Sequence, residues 1–169
     1  HPGCRYSVRM RLAALILLVL GLSATVATGA ATAPGGTLLI EDGRGTVQIT
    51  GKGVLVGRME KGSLEITDLN PTDQWSPRVN GIPRGKVVTL RGKNVSFYVP
   101  GGRYRLVARG TGISISARGT GAAVLDGDPD AVGVTGRYSV GDAASVPLPV
   151  GATKVPFGPF MVIGTFLAL

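Results

Sequence analysis

Past residue 4 the chain has neither cysteine nor histidine: Cys4 is its one thiol and His1 its one imidazole. That double absence removes the usual general base of Ser-His-Asp hydrolases, the nucleophile of thiol proteases and nearly all zinc sites. It also leaves no disulfide, so the fold must rest on packing and sheet hydrogen bonds. No GxxxxGK[ST] phosphate loop is present, and the lysines of GKG (51–53) and RGK (91–93) read as turn residues. No cofactor is implied. Aromatic residues make up only 5% of the chain, against 27 glycines and 11 prolines. This composition fits many short strands and tight turns, and no stretch reads as a long amphipathic helix.

What is present begins with a targeting pattern. Arg9 and Arg11 precede the uncharged run LAALILLVLGL (12–22), and small residues follow through Ala33. This is the order of a secretory signal. Thr28 and Ala30 suit the positions three and one before a cut after Ala30, whereas a cut after Ala33 would put Pro34 next. The alternative is an uncleaved membrane anchor helix, because 12–33 is 22 residues without a charge. Cys4 lies upstream of the apolar run and cannot be the lipidated residue of a lipoprotein. Met10 followed by RLAALILL reads as a start, which makes 1–9 an upstream extension. The expected division is 1–30 as signal peptide or membrane anchor with that extension, and 31–169 as a single β domain. Of the net charge of +8, Arg5, Arg9 and Arg11 precede the apolar run, so the remainder carries +5. That is basic, but well short of an electrostatic tail.

The domain itself alternates apolar and polar residues between glycines. TLLIEDGRGTVQIT (37–50) suggests a hairpin turning at 42–45, with Glu41 opposite Thr46. VLVGRMEKGSLEIT (54–67) suggests a second, with a Lys61-Gly62 turn setting Met59 opposite Leu64 and Arg58 opposite Glu65. Residues 68–85 carry Pro71, Pro77 and Pro83, which rule out a central strand. They form a Pro-rich loop holding Trp75, either as a plug for one end of the fold or as a ligand contact. Strands KVVTLRG and NVSFYV follow. Asn94-Val95-Ser96 matches a glycosylation sequon, a chance match in a sequence of bacterial character.

The clearest local signal is ARGTG, found at 108–112 and again at 117–121. Two-residue turns at Gly110-Thr111 and Gly119-Thr120 would gather Tyr104, Leu106, Ala108, Ile113, Ile115, Ala117, Ala122 and Val124 on one face. Arg103, Arg105, Arg109, Ser114, Ser116 and Arg118 would take the other, with Arg103 opposite Arg118. A strand at 136–140 and a closing strand from FGPFMVIGTFLAL (157–169) complete the expected fold; the exposed alternative for the last is a hydrophobic edge used in assembly. The pattern predicts an all-β, antiparallel β-sandwich built from consecutive hairpins, with a β-solenoid as the alternative.

Two constellations carry chemistry. Asp126, Asp128 and Asp130 in DGDPD resemble the first ligands of a calcium loop, but Ala131 and Arg137 stand where that loop needs Gly and Glu. An ordinary Asp-rich turn is expected, with an irregular calcium site as the alternative. Glu41, Glu60, Glu65, Asp68 and Asp73 could supply the carboxylate pair of a glycan hydrolase, but their spacing does not show convergence. The candidate binding residues are Arg103, Arg105, Arg109, Arg118 and Trp75. Like charges facing each other on a sheet favour an anionic partner, such as a cell-wall polymer or a lipid membrane surface. Nucleic acid is disfavoured, since no aromatics interleave with the arginines.

From GTLLIEDGRGTVQITGKGVLVGRMEKGSLEITD through GRYRLVARGTGISISARGTGAAVLDG to GRYSV, the chain resembles small secreted β-rich proteins of Actinobacteria with no assigned function. The GTV, GVL and GSL spacing is also similar to that of adhesin β-solenoids. The resemblance brings no catalytic residues, and the expected function is that of a non-enzymatic secreted or cell-envelope domain with a structural, adhesive or binding role.

Overall fold

The computed structural model describes residues 36–70 and 72–158. The expected signal or anchor segment, Pro71 and the apolar run beyond Gly158 lie outside the described residues. Those described are all-β, with no helix among them: β1 (Gly36–Asp68), β2 (Arg78–Val79), β3 (Ile82–Pro83), β4 (Val87–Val99), β5 (Arg103–Gly127), β6 (Arg137–Val140), β7 (Val146–Pro147) and β8 (Thr153–Phe157). The strands pair antiparallel throughout.

β1 is 33 residues long and β5 is 25, several times the usual strand. Each passes through its glycines without turning back, so the expected hairpins do not form. Glu41 pairs with Arg137, and Thr46 with Arg109 and Asp126. Met59 faces Val95, and Leu64 faces Leu90 and Ala108. Arg58 faces Ser96 and Ser114, while Glu65 faces Thr89 and Val107, so these two charges do not meet.

The long strands pair twice with each other. Thr46 to Gly51 have partners in β5 on both sides, as with Ile49 between Leu106 and Ala123. Two runs of neighbouring segments result. One orders 120–127, 45–52, 103–110, 61–68 and 87–93, with β8 beside the first. The other orders β6, 36–43, 113–119, 53–58, 95–99 and the small β2–β3 hairpin. β1, β4 and β5 cross from one run to the other, which makes the eight strands one continuous sheet.

Glycine permits the crossings. At one corner Gly127, Gly45, Gly110, Gly62 and Gly92 are successive cross-strand neighbours. Gly110 has φ +148°, and a Cβ there would overlap the Lys61 carbonyl oxygen, so no larger residue fits. A one-residue change in side-chain phase accompanies this corner: Ala108 points inward before it and Ile113 after it. The two-residue turn predicted at Gly110 requires the same phase, which is why Tyr104, Leu106, Ala108, Ile113, Ile115 and Ala117 are all buried as expected. At Gly119 no phase change occurs. Ala123 and Leu125 are buried instead of the expected Ala122 and Val124, because an uninterrupted strand keeps its alternation.

Inward residues of both runs, among them Leu38, Ile40, Val47, Ile49, Leu55, Leu64 and Phe97, join one apolar core. Segment 68–85 is only partly irregular. Asn80 (φ +50°) and Gly81 (φ +76°) form the tight turn between β2 and β3, and Pro83 sits on the outermost strand, where no ladder donor is lost. The 136–140 strand appears as β6, and Phe157 is buried in β8.

Candidate anion-binding groove

All four predicted arginines are exposed. Arg103, Arg105 and Arg109 lie on the outward side of one segment of β5. Their cross-strand neighbours are Lys52 for Arg103, Thr50 and Thr67 for Arg105, and Thr46 and Ser63 for Arg109. Arg118 lies in the next segment, between Thr37 and Val54. The expected Arg103–Arg118 opposition is therefore absent: both stay on one unturned strand. The like-charge neighbour of Arg103 is Lys52, from the GKG that reads as a turn in sequence but lies within β1.

Lys52 and Arg103 share a groove of about 540 Å³ with Lys154 of β8, and no carboxylate among the described residues lines it. Gln48, Thr50 and Thr120 add side-chain donors, while Leu69 and Val124 add apolar wall. The three cations come from three strands. β8 pairs with β5 at 121–125, which brings Lys154 opposite Val124. Three cations lining one concave surface suit an oxyanion, bound by charge-assisted hydrogen bonds. Lys52 and Lys154 carry no local motif; only the groove they line together with Arg103 identifies them.

Trp75 is 51% exposed and does not plug an end of the fold. Its ring lies over Gly101, two residues before Arg103. Asp73 anchors this loop by accepting the Trp75 amide at 3.1 Å and the Asn70 side-chain amide at 3.3 Å.

The DGDPD carboxylates turn to backbone. Asp128 accepts the Asp130 amide at 3.1 Å, as in an ordinary Asp-rich turn, whereas Asp126 accepts the distant Gly151 amide at 3.1 Å and ties the turn to the segment before β8. Among the described residues no three His, Cys, Asp or Glu side chains are grouped as metal ligands would be.

Of the carboxylates considered for hydrolysis, Glu60 lines a second groove of about 490 Å³ together with Asp42, Arg58, Asn94, Ser96 and Ser114. Glu41 lies in the adjoining groove, Asp68 accepts the Asn70 amide at 2.8 Å, and Glu65 lines neither of these grooves. Asp42 was absent from the sequence candidates. It enters because the strand bulges between Ile40 and Gly43, holding Asp42 at φ +50°.

No protein-family model, no curated protein and no solved structure matches the chain.

Proposed function

We propose that the chain is an exported, non-enzymatic β-sandwich domain of the bacterial cell envelope that binds an anionic partner through Lys52, Arg103 and Lys154. The observation that carries this reading is the groove that these three cations line together, with no carboxylate among the described residues in its lining. Export is supported by the signal-like order of Arg9, Arg11 and 12–33, and by the resemblance to small secreted actinobacterial proteins. The sandwich is supported by two runs of segments sharing one core, and by antiparallel neighbours where a solenoid would stack parallel coils. Binding to immobilised polyphosphate is the test. Wild-type protein is retained at low salt and released as salt screens the cations. Combined Lys52→Glu, Arg103→Glu and Lys154→Glu replacement abolishes retention; unchanged retention would refute the reading.

A second reading, hydrolysis of envelope glycans, is favoured by Asp42 and Glu60 lining one groove, since glycoside cleavage uses two carboxyl groups flanking the bond. It predicts release of reducing ends from purified cell wall, lost in both Asp42→Asn and Glu60→Gln. Absence of release from wild-type protein removes it.

A further inference from the structure

The two ends of the described domain meet. Gly36 and Gly158 are in backbone contact, so close that a Cβ on Gly36 would overlap the Gly158 nitrogen. Gly158 packs in turn on Gly119 and Thr120, and Thr120 lines the basic groove. In sequence, the uncharged stretch 12–33 lies just upstream of Gly36, and uncharged PFMVIGTFLAL (159–169) just downstream of Gly158. Gly36 and Gly158, the last described residues next to those two stretches, therefore lie side by side, close to Thr120 and its cross-strand neighbour Lys52.

The same end exposes apolar side chains. Leu69 is 43% exposed on the groove wall, with its amide donating to the Arg103 carbonyl at 2.8 Å. Gly53, next to Lys52, donates to the Gly102 carbonyl at 3.0 Å. That bond ties the groove to the Gly101–Gly102 turn, over which the half-exposed indole of Trp75 lies. Cations, an exposed indole, an exposed leucine and two apolar chain attachments thus occur together.

A soluble polyanion would engage the cations but gains nothing from the indole, the leucine or the apolar flanks. A bilayer interface uses them all: anionic headgroups attract lysine and arginine, tryptophan favours the headgroup level, and the uncharged composition of 12–33 and 159–169 is compatible with hydrocarbon. We infer that this end of the domain docks on an anionic lipid membrane, with Lys52, Arg103 and Lys154 against headgroups and Trp75 and Leu69 at the interface. The inference rests on the anion-binding reading above and commits it to a lipid surface.

Trp75 is the one tryptophan and serves as reporter. The full chain is incorporated into phosphatidylcholine vesicles with or without phosphatidylglycerol, using lipids brominated on the acyl chains to quench indole fluorescence. The expected result is strong quenching of Trp75 with phosphatidylglycerol and several-fold less without it. Lys52→Gln, Arg103→Gln and Lys154→Gln each weaken docking roughly fivefold. Arg91→Gln, beside Gly92 at the other glycine corner, leaves it unchanged. An unquenched Trp75 in vesicle-bound protein overturns the inference. Should the triple variant lose polyphosphate binding while Trp75 quenching persists, lipid docking through these cations falls and the anion-binding reading stands. If neither responds, both fall.

Discussion

Arg103 of β5 stands directly across from Lys52 of β1, two cations in register on the outer surface of an antiparallel pair. Like charges so placed cost roughly 0.2–1 kcal/mol, and a bound anion relieves that cost. Lys52→Thr should therefore stabilise the unliganded protein by about that amount in urea denaturation at low salt, with the gain shrinking as salt is added. The same variant should bind polyphosphate more weakly. A destabilised variant with intact binding would contradict the assignment of Lys52 to the groove.

The glycine corner should be intolerant of any side chain. Gly110→Ala places a Cβ on the Lys61 carbonyl at φ +148°, and a loss of about 3 kcal/mol or failure to fold is expected. Gly85→Ala has open space around the new methyl and no positive φ, so it should be neutral or stabilise by about 0.4–1 kcal/mol. Thermal unfolding of the two variants side by side distinguishes a bend under close backbone approach from a tolerant loop.

Tyr104 is 1% exposed, and its hydroxyl has no hydrogen-bond partner among the described residues. Burial disfavours the phenolate and pushes its pKa up from 10.0 to about 12. The unfolded chain ionises near pH 10 and the folded chain only near 12. The stability tied to Tyr104 is therefore fully present below pH 10 and falls by about 1.4 kcal/mol per pH unit across that window. Tyr104→Phe should remove this part of the alkaline loss. At neutral pH it should be neutral or slightly stabilising, because an unsatisfied buried hydroxyl disappears. Denaturant unfolding of both proteins across the window measures it.

Trp75 contributes area on one face only. Trp75→Ala should cost about 1 kcal/mol, well under the 3–5 kcal/mol of a buried tryptophan. In the unliganded protein, acrylamide should quench the Trp75 emission readily. Inaccessibility to the quencher would restore the view of the ring as an internal plug.

Much of the inward and outward sorting was legible in the chain. Strict alternation around Leu38–Ile40, Val47–Ile49 and Ile113–Ala117 identified core residues that are indeed buried. Strand pairing was not legible, since GTG and KGS serve equally as hairpin turns or as bends in a continuous strand. A signal was available in the spacing. Gly36, Gly45, Gly53 and Gly62 recur every eight or nine residues in β1, and Gly102, Gly110, Gly119 and Gly127 do so toward and along β5. Matched intervals in two distant segments suit bends that must align across strands. Asn80-Gly81 is likewise a hairpin-turn signal in the sequence, set between Pro77 and Pro83.

By itself, the sequence determined the all-β character and the identity of most core residues, because side-chain alternation is a local property. Only the tertiary structure decided which cations meet. Lys52, Arg103 and Lys154 lie far apart in the chain, and their convergence depends on β1 and β5 passing through Gly53, Gly110 and Gly119 without reversing. A glycine's backbone freedom allows either course; close approach to the neighbouring strand selects the bend.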